Sequence, residues 1–340
     1  MTKDPRLWIR DITGEGRVRG SYLVKGKTMG TTRKGDPFIS VTLADRTGEV
    51  EGKIWEGAEG LSSLFREGDI CEVEGYAGTY RGRTQITISG IKVLKGEVDP
   101  AIFLESAPEE PSVMIKALRA ILKEVKDIHL KRLIERFMGD QEFVSSFKRA
   151  PAAKGFHHDY LGGLLEHTLS VCEMARSVAE HYPRLDRDLL ITAAFLHDIG
   201  KTRELSFDVQ IDYTDEGRLV GHLVQGSAMV DEKLSGLKGF PQDLAIRLRH
   251  MILSHHGRYE FGSPKVPKFL EAIALNLIDD LDAKMNGLAR FMDKDLREGA
   301  WTDFNRLLER YFLKGEISPV EEESDEGVEQ TVRQETLFSQ

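Results

Sequence analysis

The stretch Asp188 to Lys201, reading DLLITAAFLHDIGK, carries an apolar run that closes on His197-Asp198 just ahead of Gly200. An apolar helix ending there holds an imidazole and a carboxylate side by side at its terminus, with its apolar sides anchored in a core. Both side chains ligate divalent first-row metals, and a carboxylate in that place can bridge two cations. The bland reading is a helix-terminal ion pair. Four further segments weigh against it, because His167, His222, His255-His256 and Asp279 stand in separate stretches that a helical bundle can bring together.

Outward from this stretch, apolar residues recur at helical spacing: Met114, Leu118, Ile121, Leu122 and Val125, then Leu161, Leu164, Leu165, Val171 and Cys172, then a long amphipathic pattern over 269–292. Residues 113–314 are expected to form an all-α domain with its motif core over 150–290. Pro100, Pro108 and Pro111 mark residues 98–112 as a linker. Ahead of it, β-rich runs alternate with glycine-bearing turns. Strands are expected over 18–29, 37–43, 49–55, 70–76 and 84–94, with a short helix over 57–65. Five strands with a helix between the third and fourth are the plan of an OB-fold barrel. The fold class is therefore a multidomain α+β chain, an all-β OB-fold barrel over 1–97 followed by the all-α domain.

No apolar run approaches the roughly 18 residues of a spanning helix, and the first residues lack the apolar core of a secretory signal, so a cytoplasmic protein without membrane contact is expected. Cys71 and Cys172 have no CxxC partner, which excludes a disulfide framework and a cysteine zinc site. The net charge of −9 is unevenly placed. Eight acids and one base from Glu316 to Gln340 account for −7 of it, and residues 315–340 read as an acidic, disordered tail. Arg17, Arg19, Lys25, Lys27, Arg33 and Lys34 form a run of six bases uninterrupted by an acid. A nucleic-acid partner is compatible with that strip.

The ordered series His167, His197-Asp198, His222, His255 and Asp279 resembles the HD superfamily of metal-dependent phosphohydrolases. The phrases His157-His158-Asp159-Tyr160-Leu161-Gly162-Gly163-Leu164-Leu165-Glu166-His167-Thr168, Phe195 to Lys201, Leu253 to Gly257 and Leu43 to Gly48 resemble more closely the YhaM-type 3′-to-5′ exoribonucleases, which join an OB-fold to an HD domain. The resemblance implies two divalent cations, manganese first, with cobalt, iron, nickel or zinc as alternatives. One would take His167, His197 and Asp279, the other His222 and His255 with His256 as an additional ligand, and Asp198 would bridge them. Two cations can stabilise both the attacking and leaving oxygens of a displacement at phosphorus. Lys201 would neutralise the scissile phosphate. His157 and His158 would hold phosphate or the 3′ end.

In the barrel, Phe38, Trp55, Tyr76 and Tyr80 are candidate stacking platforms, with Lys25, Lys27, Arg33, Lys34, Arg81 and Arg83 around them. Strand sides stay open without the register. The function the family resemblance implies is removal of 5′ mononucleotides from the 3′ end of single-stranded RNA, with single-stranded DNA left open as a further substrate. Two alternatives are an HD phosphohydrolase of small or cyclic nucleotides and a non-catalytic single-strand-binding replication protein. Gly257-Arg258-Tyr259 departs from the glycine-tyrosine-proline run of cyclic-dinucleotide hydrolases. Gln334, Leu337 and Phe338 resemble the peptide by which bacterial replication proteins dock on the sliding clamp, and self-association is kept as a further expectation.

Overall fold

Alternating apolar residues curl five strands into a closed barrel in the computed structural model, which describes residues 7–94, 102–208, 210–295 and 297–316. The strands are β1 (Gly16–Thr31), β2 (Pro37–Asp45), β3 (Gly48–Ile54), β4 (Ile70–Tyr80) and β5 (Arg83–Val93), in the order β1-β2-β3-β5-β4. β1 is longer than expected because it serves two neighbours. Its first half pairs with β4, its second with β2, and the register shifts between Val24 and Gly26 where the strand turns from one to the other. β3 and β5 run parallel and the other pairs antiparallel. Val18, Tyr22, Val24, Ile39, Val41, Leu43, Ile54, Val73, Ile86 and Ile88 fill the interior. Gly52 lies among them, where a Cβ would come within 2.6 Å of Ile88 and 2.9 Å of Val41, so the small residue leaves room for large ones.

The helix expected over 57–65 is only one turn, α1 (Ala58–Leu61). The Lys27 ammonium explains the cut. It donates to the carbonyls of Ser62 and Phe65 at 2.6 Å each, so a strand side chain holds this backbone.

From Ile102 onward the segment expected as a linker is packed. Phe103 is buried against Leu23, Ala44 and Ile70, Arg46 donates its backbone N–H to the Ile102 carbonyl at 3.1 Å, and Ser106 bridges to Leu161. The helices that follow are α2 (Pro111–Leu122), α3 (Ile128–Met138), α4 (Gln141–Arg149), α5 (Gly163–His181), α6 (Arg187–Leu196), α7 (Lys201–Glu204), α8 (Asp215–Val220), α9 (His222–Ser235), α10 (Gln242–Ser254) and α11 (Leu270–Lys294). Leu189 to Leu196 are buried on every side of α6, which makes it the central helix. Phe137, Phe143 and Phe147 pack edge-on against its Phe195.

One correction concerns strands. A two-residue hairpin, β6 (Leu205–Ser206) with β7 (Asp212–Tyr213), interrupts the helical series, too short to leave an alternating pattern. The chain divides into two compact units after Gly287, within the span expected for the helical domain. In the second unit Trp301 pairs with Leu313, Asn305 pairs with Arg310, and the Lys314 ammonium reaches Asp295 at 3.0 Å. Residues 317–340, with Gln334, Leu337 and Phe338, lie outside the described residues. No helix among the described residues is long and apolar enough to cross a membrane.

Candidate metal centre and nucleic-acid interface

Four further helices converge on the end of α6. His197 caps that helix and Asp198 follows it, both buried, while α5 contributes His167, the first residue of α9 is His222, α10 ends at His255-His256, and α11 carries Asp279. Asp198 faces two groups at once. Its Oδ2 lies 3.5 Å from His167 Nε2 and 3.4 Å from His197 Nε2, and Asp279 Oδ1 closes that cradle at 3.2 and 3.6 Å from the same nitrogens. Its Oδ1 lies 3.5 Å from His222 Nε2 and 3.4 Å from His255 Nε2, with His256 Nε2 3.2 Å from His222 Nε2. His167, His197, Asp198 and Asp279 thus form one group with ligand atoms within metal-binding reach, and His222, His255 and His256 form another.

The ring orientations follow from local structure. His197 and His255 stand at helix C-termini and turn Nδ1 back to carbonyls that such an end leaves free, Ala194 and Ile252, at 2.8 Å each. His256 Nδ1 donates to the Phe261 carbonyl at 2.9 Å, His167 Nδ1 to Asp282 Oδ2 at 2.7 Å, and His222 Nδ1 to Glu204 Oε1 at 3.0 Å. With every outer nitrogen engaged by an oxygen, every Nε2 faces inward, the orientation a metal ligand requires. Asp198 Oδ1 and His255 Nε2 are buried and make no hydrogen bond. A set of inward-facing ring nitrogens around a carboxylate oxygen without a hydrogen bond fits a divalent cation.

Charge is unequal between the two groups. Burial opposes ionisation of Asp198, yet the Lys201 ammonium and the His197 and His167 imidazoles hold it well below the usual carboxylate range. Against the same burial, Asp198 and Asp279 push His197 up to about 9, and Asp198, Asp279 and Asp282 push His167 up. In the second group burial dominates, lowering His255 and taking His256 down to about 3. One cradle joins carboxylates to imidazoles, and the other gathers imidazoles around a single shared carboxylate. Lys201, in the turn after the doublet, donates to Asp198 Oδ2 at 2.5 Å and is itself buried.

His158 requires a correction. Expected to contact phosphate, it is 3% exposed, with Nε2 3.0 Å from Asp282 and Nδ1 3.0 Å from the Tyr160 hydroxyl and 3.1 Å from Glu166. Both ring nitrogens are engaged inside the protein. Its φ of 46° is held by the backbone N–H donating to Asn286 at 2.8 Å. His157 differs. It is half-buried, its ring lies 5.6 Å from that of His167, its Nδ1 has no hydrogen bond, and burial lowers it to about 3. Asp282 shares a face of α11 with Asp279, both carboxylates reaching the His167 ring. The two are three residues apart, and that spacing was the available signal.

On the barrel, the register puts the interior at Ile39 and Ile54 and therefore turns Phe38, Trp55 and Lys53 outward. Phe38 and Trp55 pack at 5.0 Å, Phe38 lies over Gly30, and the Lys53 ammonium is 5.2 Å from the Phe38 ring. Trp55 is 46% exposed and borders an open cavity of about 600 Å³ that also touches Thr32, Asp36 and Pro37. Tyr80 is exposed beside Arg81 at the β4–β5 turn, where Arg81 (φ 50°) and Gly82 (φ 76°) both adopt the left-handed conformation that a tight hairpin needs. Tyr76 is exposed opposite Arg17. Arg33, Lys34 and Arg81 are exposed in the two loops, and Arg83 is exposed at the start of β5. One basic candidate is corrected. Lys27 is held by the Ser62 and Phe65 carbonyls, whereas Lys25 stays exposed with Glu49 as a surface partner.

Comparison with known proteins matches residues 164–284 to the HD domain and residues 15–94 to the OB-fold nucleic acid binding domain. The 3′-5′ exoribonuclease YhaM of Bacillus subtilis is 37% identical over 86% of this chain and 93% of its own length. That of Bacillus velezensis is 35% identical over the same shares. The two domains, in this order and over nearly the whole length of those relatives, establish that the chain belongs to the YhaM family of 3′-5′ exoribonucleases.

Proposed function

We propose that the chain is a divalent-metal-dependent 3′-to-5′ exoribonuclease that hydrolyses single-stranded RNA to 5′ mononucleotides, with single-stranded DNA as a second substrate. The observation that carries this reading is Asp198, whose two oxygens face two separate histidine groups. His167, His197, Asp198 and Asp279 would hold one cation, and His222, His255 and His256, with Asp198 shared, the other. Manganese suits this mixed imidazole and carboxylate set, and cobalt, iron, nickel and zinc also fit it. When bound, such a cation pair supplies Lewis-acid stabilisation of the attacking and leaving oxygens at phosphorus.

The chain's own residues would do the rest. Lys201 keeps an ammonium beside Asp198 and so a positive charge where the phosphate must lie. His157, neutral and half-buried beside His167, orients the 3′-terminal nucleotide by hydrogen bonding. Phe38, Trp55 and Tyr80 offer stacking surfaces that any base can use, and Arg33, Lys34, Arg81 and Arg83 track the backbone. The strands-2–3 face and the two loops beside it are the surfaces through which OB-folds bind oligonucleotides. For the tail, clamp docking through Gln334, Leu337 and Phe338 is a separate reading supported by the sequence alone, tested by binding of a synthetic tail peptide and its Leu337→Ala, Phe338→Ala control to purified clamp.

Incubation of the purified protein with manganese and 5′-labelled single-stranded RNA tests the main reading. A ladder shortening from the 3′ end is expected. Inert RNA together with rapid hydrolysis of free nucleotides would overturn it in favour of a small-nucleotide phosphohydrolase.

A further inference from the structure

Two buried carboxylates outside the candidate ligand sets each hold the outer nitrogen of one histidine, and each serves a different cradle. Asp282 accepts from His167 Nδ1 at 2.7 Å. Glu204 accepts on one oxygen, Oε1, from both His222 Nδ1 and the His222 backbone N–H, each at 3.0 Å. The other three candidate ligand histidines rest on neutral main-chain carbonyls.

Neither carboxylate is free to wander. Asp282 also accepts from the Ser170 hydroxyl and from His158, which is fixed in turn by Tyr160, Glu166 and Asn286. Glu204 ends α7, its carbonyl taken by the Thr214 backbone N–H at 2.9 Å and pressed so closely by Gly217 that a Cβ there would lie 2.2 Å away. His158, His167 and Asp282 also satisfy the distances of a metal trio. Asp282 Oδ2, however, lies within hydrogen-bonding distance of both rings, so the carboxylate joins two imidazoles through protons.

We propose that Asp282 and Glu204 are positioning residues, one for each cation: Asp282 sets the affinity of the cradle built on His167 and Asp279, and Glu204 that of the cradle built on His222. A carboxylate behind an imidazole fixes its tautomer and ring plane and makes its Nε2 a stronger donor, and losing such a partner typically costs 10–100-fold in metal affinity. The proposal rests on the metal-centre reading above. It adds that the two ions are loaded with separately set affinities.

Titration of Mn²⁺ into the full-length protein, followed by the magnetic resonance signal of the free ion, reads stoichiometry and affinity without reference to hydrolysis. Asp279→Ala and His222→Ala serve as references, each removing one candidate ligand. Asp282→Asn and Glu204→Gln keep an acceptor oxygen and remove the charge, and each is expected to weaken one of two ions by about 10–100-fold. The loss from Asp282→Asn should not add to that of Asp279→Ala, nor the loss from Glu204→Gln to that of His222→Ala. Asp282→Glu and Glu204→Asp, which restore charge, should recover part of the affinity. Wild-type affinity for both ions in the Asn and Gln variants, while the references lose one, would overturn the proposal alone. Equal weakening of both ions by either variant would overturn the assignment of one carboxylate per cation. Two ions retained in both reference variants would overturn the metal-centre reading, and the proposal with it.

Discussion

Gly200 lies against the backbone of His222, so close that a Cβ on it would stand 2.1 Å from the His222 carbonyl oxygen and 2.7 Å from the Gly226 nitrogen. Its φ of −60° is ordinary, so glycine is needed here for proximity and not for torsion. The close approach fixes the start of α9, and with it His222, relative to the His197-Asp198 doublet. Gly200→Ala is expected to lower stability by about 1–3 kcal/mol, the usual cost of overpacking, and to weaken manganese binding. Urea denaturation and metal titration check this, and an unchanged midpoint would mean that the two backbones separate at no cost.

Arg33 and Lys34 are the exposed bases of the β1–β2 loop. Reversing both charges should weaken single-strand binding and reduce the slope of log affinity against log salt by at least about 1.4, at roughly 0.7 for each phosphate no longer neutralised. Hydrolysis of a dinucleotide should change little. Equal losses on long and short substrates would place the loop's role in folding or at the metal centre.

Lys27 belongs to the same basic run yet holds the turn after α1. Lys27→Met is expected to destabilise the protein by about 2–3 kcal/mol, as removal of charge-assisted hydrogen bonds does, and to leave the salt slope of RNA binding where it was. A flattened slope with unaltered stability would return Lys27 to the binding face.

Trp55 presents a ring beside an open cavity. Trp55→Ala should cost about 1–3 kcal/mol of single-strand affinity, the value of one stacked base, and Trp55→Phe distinctly less. Fluorescence titration with oligoribonucleotides of equal length measures both. Undiminished affinity in the alanine variant would remove Trp55 from the interface.

Much of this was legible from residue order. Turn glycines and apolar alternation mark five strands, and an apolar helix that ends in His197-Asp198 marks the centre. What stayed hidden depended on distance in space. Whether Phe38 faces in or out turns on a one-residue register, which only the pairing of Ile39 with Ile54 settles. Lys27 and Arg33 are alike as letters, and the partner that separates them, the backbone of 62–65, lies more than thirty residues away. His158 looks like His157 until its hydrogen bond to Asp282, 124 residues on, is seen. Glu204 carries no motif of its own and acquires its place from the hairpin after α7, two residues per strand.

The central claim is that one carboxylate joins two metal cradles while a separate barrel surface holds the strand. Asp198→Asn, assayed for hydrolysis of 5′-labelled single-stranded RNA and, in the same preparation, for binding to it, measures both halves. The account predicts that hydrolysis falls by at least about 100-fold, as loss of a group acting on the reacting phosphate does, while RNA affinity stays within about threefold of wild type. Retained hydrolysis, or a comparable loss of binding, would contradict it.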